Sequence, residues 1–430
     1  MFCNQCEQAS EGTGCRDFGI CGKNEDVQCL QETLLYGLKG MAAYAHHARR
    51  LGKSDEAVSA FMEEALFATM TNVNFDVPSL LEMVLDCGKQ NLRVMQLLDE
   101  AHVEHFGQPE VKEVWIGTKA QPGILVSGHD MLDLWNLLKQ VEGTDVLVYT
   151  HGEMLPAFMY PKLANHPNLA GHFGGAWQLQ KKEFEVFGGA VMVTTNCIQE
   201  PKASYADRVF SNRTTAAPGV TRLTTDDFSA VIAKARELGP LEARDFGTMP
   251  VGFHHSVILS KADDILKAVQ AGQISRFFVV GGCDGAEPGR NYYTEYAKNA
   301  PADAFILTLG CGKYRIMGHD YGTHLGLPRL MDMGQCNNAY GAIQVAAGLA
   351  QAAGCGVNDL PLSITLSWFE QKAVAVLLSL LHLGVKNIKI GPAAPAWMTP
   401  GVFKVLQDAY NLQLIGSDAK ADMTRDLARV

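Results

Sequence analysis

The sequence lacks the features of several large classes of protein. Of its 430 residues 19% are charged, the formal net charge is −10, and basic residues form no run. Binding to nucleic acid or to an anionic membrane surface is therefore not expected. The longest apolar stretch, Ala373–Leu381, is too short to span a bilayer. The start of the chain, MFCNQCEQ, has neither a basic nor an apolar segment, so we expect no signal peptide and a reducing cytoplasm.

Loops that bind nucleotides are also missing. The stretch LTLGCGKY resembles part of a phosphate-binding loop, but Leu307 replaces its first glycine and Tyr314 replaces its serine or threonine. The glycine-rich stretch after Val280 lacks the GxGxxG pattern of dinucleotide-binding folds. We therefore expect neither a nucleoside triphosphate nor a dinucleotide to bind this chain.

Cysteine, by contrast, is abundant and unevenly placed. In a reducing compartment the eleven cysteines are not expected to form disulfides. Five of them come before Leu30, at positions 3, 6, 15, 21 and 29. The other six are isolated, at positions 87, 197, 283, 311, 336 and 355. This distribution predicts one metal site that forms locally and a second that only the fold can assemble.

The first four cysteines have the spacing C-x2-C-x8-C-x5-C, which is compact and rich in glycine. The predicted ligands are Cys3, Cys6, Cys15 and Cys21. Iron–sulfur cubanes take four thiolates, and a short loop with several glycines can wrap around one. Zinc and unligated thiols are the alternatives, although zinc ribbons usually pair two CxxC knuckles across a longer gap. Cys29 lies outside the spacing and is expected to pack in a helix core.

The pattern of apolar residues predicts a multidomain α/β protein. After the cysteine loop, apolar residues recur at helical spacing and predict a three-helix bundle, with the third helix beginning near Ser79. Further on, short apolar strands alternate with helices, as in doubly wound, Rossmann-like parallel sheets. We predict a cysteine loop and bundle over residues 1–113, one α/β domain over 114–246 and another over 247–430.

Several predicted strands end in a residue that can bind a metal. The strand ends carry His129, Glu153, Cys197, Cys283, Cys311 and Glu370, and Cys336 lies in a loop. Ligands of open α/β sheets gather beyond the carboxyl ends of the strands. A mixture of thiolate, imidazole and carboxylate donors suits iron. Oxygen and nitrogen donors also leave positions that exchange readily, which favours substrate binding over pure electron storage.

Each of these residues also has an ordinary structural interpretation. An isolated histidine such as His129 is more often a hydrogen-bonded loop residue, and an isolated cysteine at a strand end is more often a buried thiol. Glu370 could begin a helix, where a carboxylate suits the helix dipole. The prediction of a site rests on the joint pattern, not on any single member.

A series of motifs runs in order along nearly the whole chain. They are CNQCEQ…GTGC…GICGK, VSGHDM, YTHGEMLPA, TTNCI, GGCDG, GCGKYR, GQCNNAY and SWFEQKAVAVLL. Together they resemble the hybrid-cluster (prismane) proteins, a family of hydroxylamine reductases. Long members of that family have two helical bundles, whereas this chain has room for one and resembles the short class.

The resemblance implies two iron–sulfur centres. The N-terminal cysteines would hold a [4Fe–4S] cluster, and a hybrid [4Fe–2O–2S] cluster would lie at the interface of the α/β domains. The ligands implied for the hybrid cluster are His129, Glu153, Cys197, Cys283, Cys311, Cys336 and Glu370. The family further implies a persulfide on Cys283 in the oxidised enzyme. We expect Glu370, Cys283 and Lys372 to take part in catalysis, with His151 as a further candidate near the ligands.

The implied reaction is reduction of hydroxylamine to ammonia and water. Electrons would come from a donor protein, either an NADH-dependent flavin and iron–sulfur reductase or a ferredoxin-like protein. Reduction of nitric oxide to nitrous oxide is the alternative reaction. A non-catalytic redox sensor or electron carrier is a second alternative. A nickel carbon monoxide dehydrogenase is a third, but it needs further N-terminal cysteines, for which only Cys29 is spare.

Overall fold

The computed structural model describes residues 1–285, 287 and 289–429. The helices are α1 (Glu25–Arg50), α2 (Glu56–Ala68), α3 (Val77–Phe106), α4 (Met131–Val141), α5 (Pro161–Ala164), α6 (Gln180–Phe187), α7 (Ser229–Leu238), α8 (His255–Leu259), α9 (Ala262–Gln270), α10 (Tyr292–Lys298), α11 (Ala339–Ala353), α12 (Gln371–His382), α13 (Pro400–Tyr410) and α14 (Ala419–Leu427). Among the described residues, no helix combines the length and the apolar character needed to cross a membrane.

The strands are β1 (Lys112–Thr118), β2 (Gly123–Ser127), β3 (Leu147–His151), β4 (Leu169–His172), β5 (Ala190–Val193), β6 (Val209–Asn212), β7 (Thr221–Leu223), β8 (Arg244–Val251), β9 (Phe277–Gly282), β10 (Phe305–Thr308), β11 (Thr323–His324), β12 (Leu327–Pro328), β13 (Leu330–Asp332), β14 (Leu362–Ser367), β15 (Ile388–Gly391) and β16 (Gln413–Leu414). From β2 onward helices alternate with most of the strands, which confirms the predicted α/β class.

Three helices follow the cysteine loop, as predicted. The third, α3, begins at Val77, close to the predicted start near Ser79, and the Asp76 carboxylate caps it by accepting a hydrogen bond from the Ser79 backbone. Helices α1 and α3 pack against α12, so the bundle shares one apolar core with the second sheet. The approach of α1 to α12 requires a glycine, because a Cβ on Gly40 would clash with the carbonyl oxygen of Gln371.

The first sheet has eight strands in the order β7-β6-β5-β2-β3-β4-β1-β8. Its neighbouring strands are parallel except for β8, which runs antiparallel to β1. Strands β2, β3 and β5 are buried along their whole length, as expected when helices cover both faces. The predicted boundary at residue 246 falls inside β8, so the first α/β unit extends to Val251.

The second sheet has six parallel strands in the order β13-β10-β9-β14-β15-β16. One of these strands shows that the prediction of Cys336 in a loop was wrong. The short strand β13 ends at Asp332, and Cys336 begins the single helical turn Cys336–Asn338 just beyond it. Cys336 therefore also follows the carboxyl end of a parallel strand.

The parallel strands of both sheets direct their carboxyl ends to the same region. In the first sheet, β5, β2 and β3 are adjacent, and in the second sheet β13, β10, β9 and β14 are adjacent. Gly282, at the end of β9, has a φ of 110°, and a Cβ there would clash with the Ser367 carbonyl oxygen of β14. A glycine is therefore required for the two strand ends to meet immediately before Cys283.

Candidate metal centres

All seven predicted ligands of the second site come together between the two sheets. The first sheet contributes His129, Glu153 and Cys197, and the second contributes Cys283, Cys311, Cys336 and Glu370. Their proximity is evident in their electrostatics, since the negative charges of Glu370, Cys336 and Glu153 each raise the pKa of Cys197. The site thus lies at the interface between the two α/β units.

The tightest part of the site joins His129, Glu153 and Cys336, whose ligand atoms lie within 4.8 Å of one another. The His129 Nε2 atom is 3.9 Å from Glu153 Oε2, which also accepts a hydrogen bond of 3.0 Å from the Cys336 backbone. The other carboxylate oxygen, Oε1 of Glu153, is buried and has no hydrogen-bond partner in the described part of the chain. A buried carboxylate oxygen in this state needs a compensating charge, which a metal ion would provide.

His129 is held with one ring nitrogen directed into the site. Thr195 Oγ1 accepts a hydrogen bond from the His129 backbone and lies 2.8 Å from its Nδ1. The Lys372 ammonium lies 2.9 Å from His129 Nε2 and donates 3.0 Å to Asn196 Oδ1. Because an ammonium can only donate, Nε2 carries the lone pair and Nδ1 carries the proton. The lone pair that a metal needs therefore faces the ligand cluster.

Glu370 caps a helix and also faces the predicted second site. Its Oε2 accepts a 3.2 Å hydrogen bond from the Lys372 backbone and caps α12, while its Oε1 lies 3.9 Å from Cys283 Sγ. Beside it, Phe369 stacks on Trp177 of the first unit, with ring centroids 4.1 Å apart. This aromatic pair joins the two α/β units next to Glu370, the predicted ligand that caps α12.

Burial controls the protonation of the site. It raises the pKa of Cys336 to about 11 and also raises the pKa values of Cys197, Cys283 and Cys311. Burial lowers the pKa of His129 well below its ordinary value, so the imidazole stays neutral. Metal ions must displace protons from these thiols, so the affinity for metal falls as the pH falls.

Lys372 brings a positive charge into this site. Burial alone would lower its pKa, but the negative charges of Cys336, Glu370 and Cys197 outweigh that effect and raise it. Its ammonium is 3.9 Å from Glu370 Oε1. Lys372 therefore holds a proton close to predicted ligands from both sheets.

The sequence did not predict two residues of this site. Gln335 Nε2 donates hydrogen bonds to the backbone carbonyls of His129 (3.1 Å) and Glu153 (2.7 Å), and so joins three ligand loops. Tyr44 reaches the site from α1 and lines a small pocket with His129 and Lys372. The only sequence signal for Gln335 is its position before Cys336. Tyr44 had no such signal, because a tyrosine on an amphipathic helix is usually a core residue.

The N-terminal cysteines form a separate, shallower site. Cys3 and Cys15 pair through two backbone hydrogen bonds of 3.0 and 2.8 Å and are buried, while Cys6 and Cys21 are half-buried. Among the described residues, no three of these sulfurs lie within 4.8 Å of one another.

The same site contains a buried cation that the sequence did not reveal. Lys23 is fully buried, with its ammonium 3.9 Å from Cys3 Sγ and donating 3.1 Å to Gln28 Oε1. Ser10 Oγ lies 3.5 Å from Cys15 Sγ, and its hydrogen bond lowers the pKa of that thiol. Lys23 also lowers the pKa of Cys15, so both groups favour the thiolate form of that residue, which is the form that binds metal.

The remaining cysteines do not belong to either site. Cys29 is buried, and its sulfur accepts a hydrogen bond of 3.5 Å from the Thr399 backbone. Cys87 lies in the core between α1, α3 and α12, where burial raises its pKa to about 12. Cys355 is exposed. The first two therefore act as small apolar residues, as the sequence analysis expected of Cys29.

The sequence matches the Prismane/CO dehydrogenase family over residues 1–84 and 76–424. The chain belongs to this family. It is 60% identical to the hydroxylamine reductase of Moorella thermoacetica, over 96% of this chain and 97% of that one. The hydroxylamine reductase of Thermotoga maritima is 46% identical over 98% of both chains. The hydroxylamine reductase of Geobacter sulfurreducens is 42% identical in an alignment of 549 positions that covers the whole of both chains, so it has segments that this chain lacks.

Solved structures of carbon monoxide dehydrogenases share the fold. The enzyme from Thermococcus sp. AM4 superposes with a TM-score of 0.79 over 99% of this chain and 89% of its own, at 15% identity. Carbon monoxide dehydrogenase IV from Carboxydothermus hydrogenoformans gives a TM-score of 0.79 over 99% and 91%, at 14% identity. At such low identity the likeness extends to the fold alone.

Proposed function

We propose that this protein is a hydroxylamine reductase that works at a hybrid iron–sulfur–oxygen cluster between its two α/β units. The observation that supports this most strongly is the convergence of seven metal-binding side chains, all placed at the carboxyl ends of parallel strands. The names of the relatives, which are hydroxylamine reductases at up to 60% identity, agree with it. Reduction of NH₂OH to NH₃ and H₂O consumes two electrons and two protons.

The two sites would divide the work. Cys3, Cys6, Cys15 and Cys21 would hold a [4Fe–4S] cluster that receives electrons from a donor protein. The second site would hold a hybrid [4Fe–2O–2S] cluster through His129, Glu153, Cys197, Cys283, Cys311, Cys336 and Glu370. The buried Glu153 oxygen, which has no hydrogen-bond partner in the described part of the chain, and the mixture of thiol, imidazole and carboxylate donors around it fit such a group.

The side chains of the second site would bind, orient and protonate the substrate. When bound, the cluster would supply electrons and an iron position at which the N–O bond is cleaved. Lys372 holds a proton on Nζ, 3.9 Å from Glu370 Oε1, and can deliver it to the leaving oxygen. Glu370 is half-buried and has an oxygen 3.9 Å from Cys283 Sγ. It can therefore take up a new proton after Lys372 has delivered its own, or it can move away and leave a ligand position open. The exposed Asn196, which accepts from Lys372, connects this pair to solvent.

Anaerobically purified protein should therefore contain iron and acid-labile sulfide for two clusters and no nickel. It should convert hydroxylamine stoichiometrically to ammonia when a small artificial donor supplies electrons. The measurements are metal analysis, spectra in two redox states and ammonia yield. Intact clusters without any turnover would instead indicate a redox sensor or electron carrier, and nickel would indicate a carbon monoxide dehydrogenase.

A second candidate reaction, reduction of two NO to N₂O and H₂O, is favoured by an apolar cavity of about 430 Å³. It lies between the helical bundle and the second sheet, and its lining includes the sulfur-bearing residues Cys283 and Cys336 as well as Val345 and the exposed Cys355. An apolar space suits an uncharged gas such as nitric oxide, whereas hydroxylamine forms strong hydrogen bonds with water. We propose that nitric oxide reaches the cluster through this cavity and that hydroxylamine enters beside Asn196.

Filling the cavity should separate the two reactions. Val345 is buried on α11 and lines the cavity, so Val345→Phe should lower the rate with nitric oxide several-fold and leave hydroxylamine turnover unchanged. The rates are measured per intact second centre. Val345→Ile adds one methylene and serves as the control that leaves the cavity open. Equal loss of both reactions in Val345→Phe would show that the cavity is not a separate route.

A further inference from the structure

Trp177 belongs to the first α/β unit, but it contacts two loops of the second. Its indole Nε1 donates a hydrogen bond of 3.3 Å to the carbonyl of Asp284, the residue after Cys283. Its ring stacks on Phe369, the residue before Glu370, with the two ring planes 25° apart. Trp177 therefore holds the immediate neighbours of Cys283 and Glu370, whose side chains lie 3.9 Å apart.

The same segment of chain also holds the loop of Cys197. Gln180 is only 2% exposed, and its Nε2 donates a hydrogen bond of 2.6 Å to the carbonyl of Cys197. Gln180 Oε1 accepts a hydrogen bond of 3.1 Å from the Gln199 backbone, and Gln199 Nε2 donates one of 2.9 Å to the Trp177 carbonyl. We call residues 177–180 the bridging turn, because they connect a ligand loop of the first unit with two of the second.

Two of these contacts fall on backbone that a residue other than glycine rarely adopts. Cys197 has a φ of 69° and Asp284 a φ of 56°, both in the left-handed region. Such conformations persist only where surrounding contacts hold them, and they concentrate at functional sites. The carbonyl of each residue accepts a hydrogen bond from the bridging turn, from Gln180 in one case and from Trp177 in the other.

We propose that Trp177 and Gln180 are positioning residues, which fix the loops of Cys197, Cys283 and Glu370 relative to one another and so set the geometry of the second centre. Cys197 belongs to the first unit and the other two to the second, so the bridging turn controls the fit across the interface. Residues that orient metal ligands without binding the metal influence both its affinity and its activity. This inference rests on the proposed ligand set and adds to it two residues that are not ligands.

The first test removes one hydrogen bond and keeps the aromatic contact. Trp177→Phe loses the indole N–H but retains a ring that can face Phe369. The variant should keep its iron, show an altered electron paramagnetic resonance spectrum of the second centre, and lose about tenfold in hydroxylamine turnover per intact second centre. A variant that was merely less stable would have fewer intact centres, but each would keep the wild-type spectrum.

Trp115→Phe is the matched control for this change. The Trp115 indole Nε1 donates a hydrogen bond of 3.0 Å to Asp245 Oδ1, between β1 and β8 and away from the predicted ligands. That variant should have the wild-type spectrum and turnover. A wild-type spectrum in Trp177→Phe would overturn the positioning role of Trp177.

The second test addresses the other end of the bridging turn. Gln180→Met removes both side-chain hydrogen bonds with little change in volume, and it should alter the same spectrum because the carbonyl of Cys197 loses its donor. Gln140→Met is its control, since Gln140 also bonds a backbone carbonyl and a backbone N–H, but at the surface of the first unit. A wild-type spectrum in Gln180→Met would overturn the role of Gln180.

The iron content of the variants covers the case of poor assembly. Loss of the second centre alone, with the N-terminal cluster intact, would also support the proposal, because only the loops of the second site meet the bridging turn. Loss of both clusters in both variants would overturn it, since the turn would then serve the fold as a whole. Failure of the ligand set is recognised separately, because the wild type and Trp115→Phe would then lack the signal of a second centre.

Discussion

Glu370→Gln is expected to keep most of the bound iron and to lose hydroxylamine turnover by about a hundredfold or more, the range typical of a lost proton-transfer group. Glutamine keeps the shape of the side chain, and its amide oxygen can still accept the 3.2 Å hydrogen bond from the Lys372 backbone that caps α12. What it loses is the negative charge next to Cys283 and the ability to exchange a proton with the Lys372 ammonium, 3.9 Å away.

The measurement is turnover per intact second centre, counted by spectroscopy, with a small artificial donor. Asp418→Asn is the matched control, because Asp418 also caps a helix, α14, by accepting from the Lys420 and Ala421 backbones at 2.9 and 3.1 Å. That variant should retain full turnover. Wild-type turnover in Glu370→Gln would mean that Glu370 is a helix cap and nothing more.

Cys283→Ala changes the other residue of the contact between Glu370 and Cys283, and we expect a different result. A thiolate is required to hold iron, whereas a carboxylate at an exchangeable position mainly affects geometry and proton delivery. The Cys283 variant should therefore lose or distort the second centre, while Glu370→Gln keeps it. If both variants lost the same amount of iron, the proposed division of roles would be wrong.

The sequence was sufficient to bring most of the residues of the predicted second site together because of a regularity of parallel sheets. A ligand at the carboxyl end of one strand lies at the same edge as the ligands of its neighbours, so His129, Glu153 and Cys197 could be placed together without knowledge of the packing. The order of strands was not needed. Strand β13, in contrast, has three residues and no detectable period, so Cys336 was assigned to a loop.

Contacts between distant segments were beyond the sequence. The predicted boundary at residue 246 cut through β8 because that strand is paired only by its antiparallel contact with β1, which a local pattern cannot reveal. The continuity of the bundle core with the second sheet depends on helix crossings at Gly40 and at Gly88, where a Cβ would clash with the Leu378 carbonyl. A helix crossing of this kind places Tyr44, and a loop places Lys23. No sequence motif predicts either position.

Cys6→Ser should remove about four irons per chain and leave the signal of the second centre in place. The reason is that the N-terminal site is built within one short loop, where Cys3 and Cys15 are fixed by their paired backbones and Cys6 lies between them. A serine oxygen is a poor ligand for a cubane iron, and the buried Lys23 ammonium, 3.9 Å from Cys3 Sγ, would further destabilise a loop with incomplete anionic ligation. The second site shares no ligand with this loop.

Iron and sulfide are counted in anaerobic preparations, and turnover is compared with a protein donor and with a small artificial donor. Loss of the first cluster should abolish turnover with the protein donor, since the proposed entry point for electrons is gone, and spare part of the turnover with the small donor. Cys355→Ser, the same change at an exposed cysteine, should lose neither iron nor hydroxylamine turnover. Zinc in place of iron at the N-terminal site of the wild type would refute the cubane assignment. Loss of both centres in Cys6→Ser would show that the second site depends on the first for its assembly.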